Sequence, residues 1–474
     1  MHDYHLAVGL EVHAELKTRA KMFCNSKNDS DETRPNVNVC PVCLGHPGTL
    51  PVINKEAVKQ VLKVGVSLQG RLADFTEFDR KNYFYPDIPK GYQLSQYKFP
   101  LVSGGKLRGV AITRVHLEED TGTSLHDEGA YSLVDFNRAG VPLMELVTEP
   151  VITSAKEAGD FARELQLLLR YLGASDANLE KGEMRVEANI SVSKEAGRLG
   201  TKVEVKNLNS FRAVERAIDY EAARQTELLL SGGKVTQETR GWNEDTGKTF
   251  SQRSKEEAHD YRYFPDPDLP QLNLQDVPEF SESRLREEMP ELPAERRRRY
   301  AALGLKNEDI ETLLPHRSLA ALFEEAVQAL QGGDTIALVS SYLTSDLMGL
   351  IKKAGADADT VRFSFDGTVF AELIRMVVGK KLSSRGAKDI LQVLFEKGGE
   401  PEALAAELGL LQKSDHGELR GVAEGIIAAN PKVAEDYQAG KMAALQFLVG
   451  QGMKATKGSA NPEVLRELFV SLLK

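Results

Sequence analysis

Met184-Arg185-Val186-Glu187-Ala188-Asn189-Ile190-Ser191-Val192 alternates five apolar residues with four polar ones. Strand side chains point to opposite faces with a period of two, so this is a half-buried strand with Arg185, Glu187, Asn189 and Ser191 on one face. The same alternation appears in Leu10–Leu16 (Glu11, His13, Glu15), Met144–Glu149 (Glu145, Glu149) and His116–Asp120 (His116, Glu118, Asp120). It also places Lys202, Glu204 and Lys206 around Val203 and Val205. An ordinary solvated sheet face favours Thr, Lys and Ser. A face this rich in Glu, with His and Arg among them, suits cations and phosphates.

Helical periodicity interrupts the strands. Ala155–Leu172 carries Ala158, Phe161, Ala162, Leu165, Leu168 and Leu169 at helical spacing, and Ser210–Leu230 directs Ala213, Ile218 and Ala222 inward. Ser210 is the expected N-cap of the second helix and Gly232 its stop. The expected fold class is α+β, with helices on the oily side of an antiparallel sheet and the polar side open. Composition shifts after Pro265-Asp266-Pro267-Asp268-Leu269-Pro270, and from about Pro290 the chain reads as continuous helix. Arg296–Arg299 reads as a solvated face at a helix start, or as a tRNA or subunit contact. Gly450–Pro462 reads as a loop in a last compact helical stretch.

A chain of 474 residues exceeds one ordinary core. A net charge of -10 disfavours a simple nucleic-acid coat protein, while a local basic surface would still serve nucleic acid. Three Cys argue against a disulfide framework and for a reducing, cytoplasmic setting. No apolar run approaches a membrane span, and Met1-His2-Asp3-Tyr4-His5 leads into a strand rather than a secretory leader.

The acid and His face reads in two ways from spacing: as a Mg²⁺ site around a nucleotide, or as a structural network with Arg185, Lys202 and Lys206. Phe78–Gln93 sets Arg80, Lys81 and Lys90 among aromatic rings; it suits phosphate and base stacking, or aromatic packing with solvated cations. Arg253–Phe264 interleaves charge and rings as an acceptor-end contact would, or as ordinary surface does. Cys40 and Cys43 have metal-ligand spacing, Cys24 adds a third thiol, and His46 is a fourth zinc donor; otherwise they are free thiols. No P-loop, dinucleotide fingerprint or nucleophile elbow is present.

Six stretches carry a resemblance. Gly9–His13, Phe78–Pro86, His116–Asp120, Ser132–Arg138, Val205–Phe211 and His259–Pro265 resemble the B subunit of the tRNA-dependent glutamyl/aspartyl-tRNA amidotransferase, and the likeness covers essentially the whole chain. It implies a glutamine-synthetase-like cradle domain over 1–290, an all-α domain over 291–405 and a small helical tail over 406–474 that meets tRNA. It implies an ATP-dependent carbon–nitrogen ligase with glutamine as amido donor. ATP phosphorylates the side-chain carboxylate of mischarged Glu-tRNA(Gln) or Asp-tRNA(Asn), and ammonia from a glutaminase A subunit displaces the phosphate. A small C subunit completes a heterotrimer.

By that similarity Glu11, His13, Glu118, Glu119 and Glu149 hold Mg²⁺, and Glu11, His13, Lys81, Glu119 and Glu149 carry the catalysis. Lys81, Tyr83, Arg185, Glu187 and Lys206 line the ATP site, with Glu15, Glu145 and Glu204 as structural neighbours. Cys24, Cys40 and Cys43 are the zinc expectation, with Ser26 where zinc-bearing members have a further Cys. Glu187 stands where the family often has Asp, and Val151 where it often has Asp after Glu-Pro. The rival reading is a non-catalytic tRNA-binding scaffold of the same complex, against which the acidic face argues because it repels phosphates.

Overall fold

The alternating stretches become strands of one sheet. The computed structural model describes residues 4–125, 129, 131–254, 260–331, 333–412, 416–456 and 460–474. Strands that build the site are β1 (His5–Glu15), β2 (Arg71–Leu72), β3 (Asp79–Asn82), β4 (Tyr92–Ser95), β5 (Val102–Ser103) and β6 (Val110–Glu119). They continue with β7 (Pro142–Thr148), β8 (Met184–Ser193), β9 (Val203–Leu208), β10 (Glu238–Asn243), β11 (Lys248–Ser254) and β12 (Phe264–Pro265). The large sheet runs β11-β10-β9-β8-β1-β7-β6-β5-β2, with Lys106–Leu107 also paired to β6. A small sheet runs β12-β3-β4.

The expected antiparallel sheet is mixed. Every pair in it is antiparallel except β9 and β10, which lie parallel. The cause is the helix between them, since a chain that returns through a long crossover re-enters in the same direction.

Helices α1 (Lys55–Ser67), α2 (Ala155–Leu172) and α3 (Phe211–Leu230) supply the oily cover. Val8, Leu10, Val12 and Ala14 of β1 join one core with Val61 and Leu62 of α1, Phe161 and Leu165 of α2, and Val214 and Ile218 of α3. Full burial of such side chains contributes roughly 1.5–3 kcal/mol each, which holds the sheet rigid beneath its polar face. Ser154 and Ser210 cap α2 and α3 by accepting from Glu157 N and Ala213 N. Beyond α3, Gly232 turns left-handed at φ 81° as the stop signal expected. Ala222 is only half-buried. Glu221 and Gln225 face inward instead, and Glu221 is held by Arg224 at 3.0 Å and Thr249 at 3.0 Å.

The chain divides into two compact units, Met1–Pro293 and Ala294–Lys474. In the second unit Tyr300 is buried edge-on to Phe323 and donates to Glu324. Arg296 and Arg299 pair with Glu324, and Arg297 pairs with Glu311, so these cations are engaged within the unit. The boundary expected at 405/406 falls inside the helix Pro401–Glu407; a core of its own begins at Leu419 and collects Leu448, Leu465 and Phe469. Much of the expected Gly450 loop is helix. Met442–Ala455 runs through Gly450 and Gly452, where the bare backbone at Gly452 lets Leu465 approach closely; residues 457–459 lie outside the described residues. Among the described residues no helix is long and apolar enough to cross a membrane.

Candidate functional site

Strand register assembles the polar face. Arg185, His13, Glu145 and His116 stand opposite one another across β8, β1, β7 and β6. The adjacent row is Glu187, Glu11, Val147 and Arg114. Residues opposite each other share a face, so eight side chains from four distant stretches meet on the side away from the helices. The β3–β4 hairpin is fixed above β6 because Gln93 Nε2 donates to the Glu119 carbonyl at 2.6 Å and Leu117 N donates to Gln96 at 3.0 Å. Together they enclose a cleft of about 890 Å³.

Glu145 sits at its centre. One of its carboxylate oxygens lies 3.4 Å from His13 Nε2 and 3.6 Å from His116 Nε2, and the other is 3.2 Å from Arg114. His13 Nε2 is also 3.7 Å from Glu11 and 3.7 Å from Glu118, whose second oxygen lies 3.6 Å from Lys81 Nζ. Three sets converge within 4.8 Å: Glu11, His13 and Glu145; His116, Glu118 and Glu145; Glu11, Glu187 and Glu204. Carboxylate oxygens with an imidazole are the donors of a hard divalent cation. The fit has a local sign. Glu118 Oε2 and His116 Nδ1 are buried with no hydrogen-bond partner, and a cation or its water relieves such atoms.

Electrostatics keep the cluster protonated in places. Burial and the neighbouring Glu145 raise the Glu11 carboxyl to about 7. Burial depresses His13, but the hydrogen bond and charge of Glu145, with Glu118 and Glu11, outweigh it and lift the imidazole to about 9. Burial raises Glu145, yet His116, His13 and Lys81 hold it well below the usual carboxylate range. Burial keeps His116 below its ordinary value. A divalent ion entering here displaces protons, chiefly from Glu11 and His13.

The structure brings Glu11, His13, Lys81, Tyr83, Glu118, Arg185, Glu187 and Lys206 to the cleft. Tyr83 donates to Gln93 at 2.8 Å, Arg185 donates to Asp120 at 2.9 Å, and Lys206 donates to Glu187 at 2.8 Å. Glu119 and Glu149 are not brought there. Glu119 follows Leu117 onto the opposite face of β6, accepts from Leu94 N at 2.8 Å and pairs with Lys90. It lines a smaller cavity with Cys24, Cys43 and His46. Glu149 lies beyond a register shift at Val147/Thr148; it is exposed and accepts from Thr113 at 2.7 Å. Glu145, His116 and Arg114 join the cluster although the sequence reading left them out of the ligand set. The alternation in both stretches was the signal: Glu118 and Glu145 share a face with His116 and Leu143, whereas Glu119 does not.

The three thiols of Cys24, Cys40 and Cys43 converge within 4.8 Å. Lys21, fully buried, places Nζ 3.8 Å from Cys43 Sγ, and Ser26 Oγ lies 3.8 Å from the same sulfur. His46 is exposed and does not join them. Three donors do not close a structural zinc site, which takes four. In the Arg253–Phe264 run, residues 255–259 lie outside the described residues, while Tyr261 and Tyr263 line the cleft.

Residues 6–278 match the GatB/GatE catalytic domain, and residues 321–473 match the GatB domain. The chain is 45% identical over 474 residues to the B subunit of the aspartyl/glutamyl-tRNA(Asn/Gln) amidotransferase of Thermus thermophilus, covering 99% of each chain. The protein of that name from Carboxydothermus hydrogenoformans is 43% identical over 483 residues, covering 99% of this chain and 98% of its own. That from Crocosphaera subtropica is 42% identical over 496 residues, with the same coverage. A sheet whose acidic face forms one cleft, and likeness along nearly its full length, lead to one conclusion: the chain belongs to the family of aspartyl/glutamyl-tRNA(Asn/Gln) amidotransferase B subunits.

Proposed function

We propose that the cleft activates the side-chain carboxylate of Glu or Asp carried on mischarged tRNA(Gln) or tRNA(Asn), by phosphoryl transfer from ATP. The observation that carries this is the Glu145-centred cluster, acids and imidazoles ringed by Lys81, Arg114, Arg185 and Lys206 in one cleft. A carboxylate resists attack by ammonia, and phosphorylation supplies a leaving group. Phosphoryl transfer asks for alignment and charge neutralisation more than for a covalent catalyst.

Glu11, His13, Glu118 and Glu145 would hold Mg²⁺, with Glu187 and Glu204 beside Glu11 as a further oxygen set. Mg²⁺, when bound, neutralises charge on the transferring phosphoryl group. Lys81 stands beside Glu118 and offers an ammonium to a phosphate oxygen. Arg185, anchored on Asp120, has a fixed guanidinium for the acceptor carboxylate or a phosphate. Ammonia from the glutaminase A subunit then displaces the phosphate, the C subunit holds the complex together, and the tail meets tRNA.

The test is reconstitution with both partner subunits, ATP, glutamine and each mischarged tRNA. Amidation of Glu-tRNA(Gln), Asp-tRNA(Asn) or both is expected, and it is lost in Glu11→Ala and His13→Ala while tRNA still binds. Undiminished amidation in both variants overturns the assigned site.

A further inference from the structure

One wall of the cleft is made of tyrosine rings that the cluster above does not use. Tyr97 and Tyr263 stack with centroids 4.4 Å apart and planes 12° from parallel. Tyr263 meets Tyr261 edge-on at 5.9 Å, and Tyr261 meets Tyr83 edge-on at 5.6 Å. Lys81 Nζ lies 5.3 Å from the Tyr261 ring. All four rings line the cleft. The wall therefore leads from Tyr97 to Lys81, and Lys81 reaches Glu118 in the acidic cluster.

The outer ring is open. Tyr97 leaves 60% of its surface exposed, so its stacking on Tyr263 does little to bury it. Its position is nonetheless built. Asp79 accepts from Tyr97 N at 3.2 Å just after β4, and the pairing of Phe264 with Arg80 holds Tyr263 immediately before β12. Two stretches far apart in sequence thus present one aligned aromatic pair. On the β9–β11 side the lining residues, from Lys202, Glu204 and Lys206 to Thr239 and Gln252, include no ring.

Order along this wall is ring, cation, then acids and imidazoles, which is the order base, phosphate, metal in a bound nucleotide. From this juxtaposition we infer that the Tyr97–Tyr263 pair is a stacking platform for an adenine base, extending the nucleotide site from the acidic cluster to the cleft's aromatic wall. It rests on the proposed function, in which adenine arrives from two sources: ATP and the terminal adenosine of the tRNA acceptor end. An aromatic face takes either, because stacking needs only the π-surface of the base.

The test compares the unaltered chain, Tyr97→Ala and Tyr97→Phe, each within its complex. Three probes are titrated: ATP, inorganic tripolyphosphate, and a short RNA hairpin ending in CCA. Tyr97→Ala is expected to weaken ATP or the CCA hairpin roughly tenfold or more, as loss of one stacked base does. Tripolyphosphate, which has no base, stays within about twofold, and Tyr97→Phe, which keeps the ring, restores most of the affinity. Loss confined to ATP assigns the platform to the nucleotide; loss confined to the hairpin assigns it to the acceptor end. Unchanged binding of both to Tyr97→Ala overturns the platform. Failure of the unaltered protein to bind ATP and tripolyphosphate at all overturns the phosphoryl-transfer reading instead.

Discussion

Glu145 contacts two imidazoles and a guanidinium from the two strands that flank its own, β1 and β6, which makes it the centre of the cluster. Glu145→Gln is expected to reduce ATP-dependent phosphate transfer to mischarged tRNA by about a hundredfold or more, since it removes an oxygen donor and charge from the cluster. Glu149→Gln, altering an exposed residue beyond the cleft, should stay within about threefold. Single-turnover phosphate release measures both, and the reverse ranking would remove Glu145 from the ligand set. Asp120 carries a different prediction. Burial pushes its carboxyl up, but Arg185 at 2.9 Å and Arg138 at 3.8 Å hold it below its ordinary value. A depressed folded pKa contributes stability above the unfolded value of about 3.9 and loses it as pH falls through the folded value. Asp120→Asn should therefore cost about 3 kcal/mol near neutrality, because it leaves Arg185 without its partner. The difference from the unaltered chain should shrink below about pH 4. Thermal unfolding at the two pH values checks the sign.

Elements place these residues, and small irregularities decide which ones arrive. The alternations at β1, β6, β7, β8 and β9 were legible because period two is local to each strand. The register shift after Val147 was not, since a bulge is decided by how two strands meet. The extra residue is Thr113 of β6: Thr148, whose hydroxyl accepts from Leu10 N at 2.9 Å, pairs with Ile112, and Thr113 donates to Glu149 at 2.7 Å away from the cleft. Helix α1 shows a close approach of the same kind. A Cβ on Gly65 would lie 2.4 Å from Val102 Cγ2 and 2.9 Å from Leu72 Cδ2. Gly65→Ala adds about 1 kcal/mol of helix propensity. Overpacking against stiff, buried Val102 costs roughly 1–3 kcal/mol, so a net loss of about 1 kcal/mol is expected. A raised melting temperature for Gly65→Ala would show that the helix can shift outward.

At the scale of the molecule, every residue that lines the cleft falls between Glu11 and Tyr263, inside the first compact unit. Removal of residues 416–474, which include the core around Leu419 and Phe469, should leave ATP binding within about threefold. It should weaken tRNA binding by tenfold or more if the tail meets tRNA, as roughly 1.4 kcal/mol of lost contact would. Filter binding of tRNA and equilibrium dialysis of ATP separate the two. A loss of ATP affinity with tRNA affinity intact would reverse the assignment.

Residue order alone was enough for the half-buried strands, the cap at Ser210 and the stop at Gly232, the helical second half and the family, because periodicity, capping and motifs are written in neighbouring residues. Pairing decided the rest. Which acids meet is set by the alignment of β8, β1, β7 and β6, contacts between positions up to about a hundred and eighty residues apart. That alignment brought Glu145 and His116 into the cluster and left Glu119 on the other side of β6. It also set Tyr97 on Tyr263. Long-range register depends on the packing of all strands against α1, α2 and α3 at once, and no single stretch of chain holds that information.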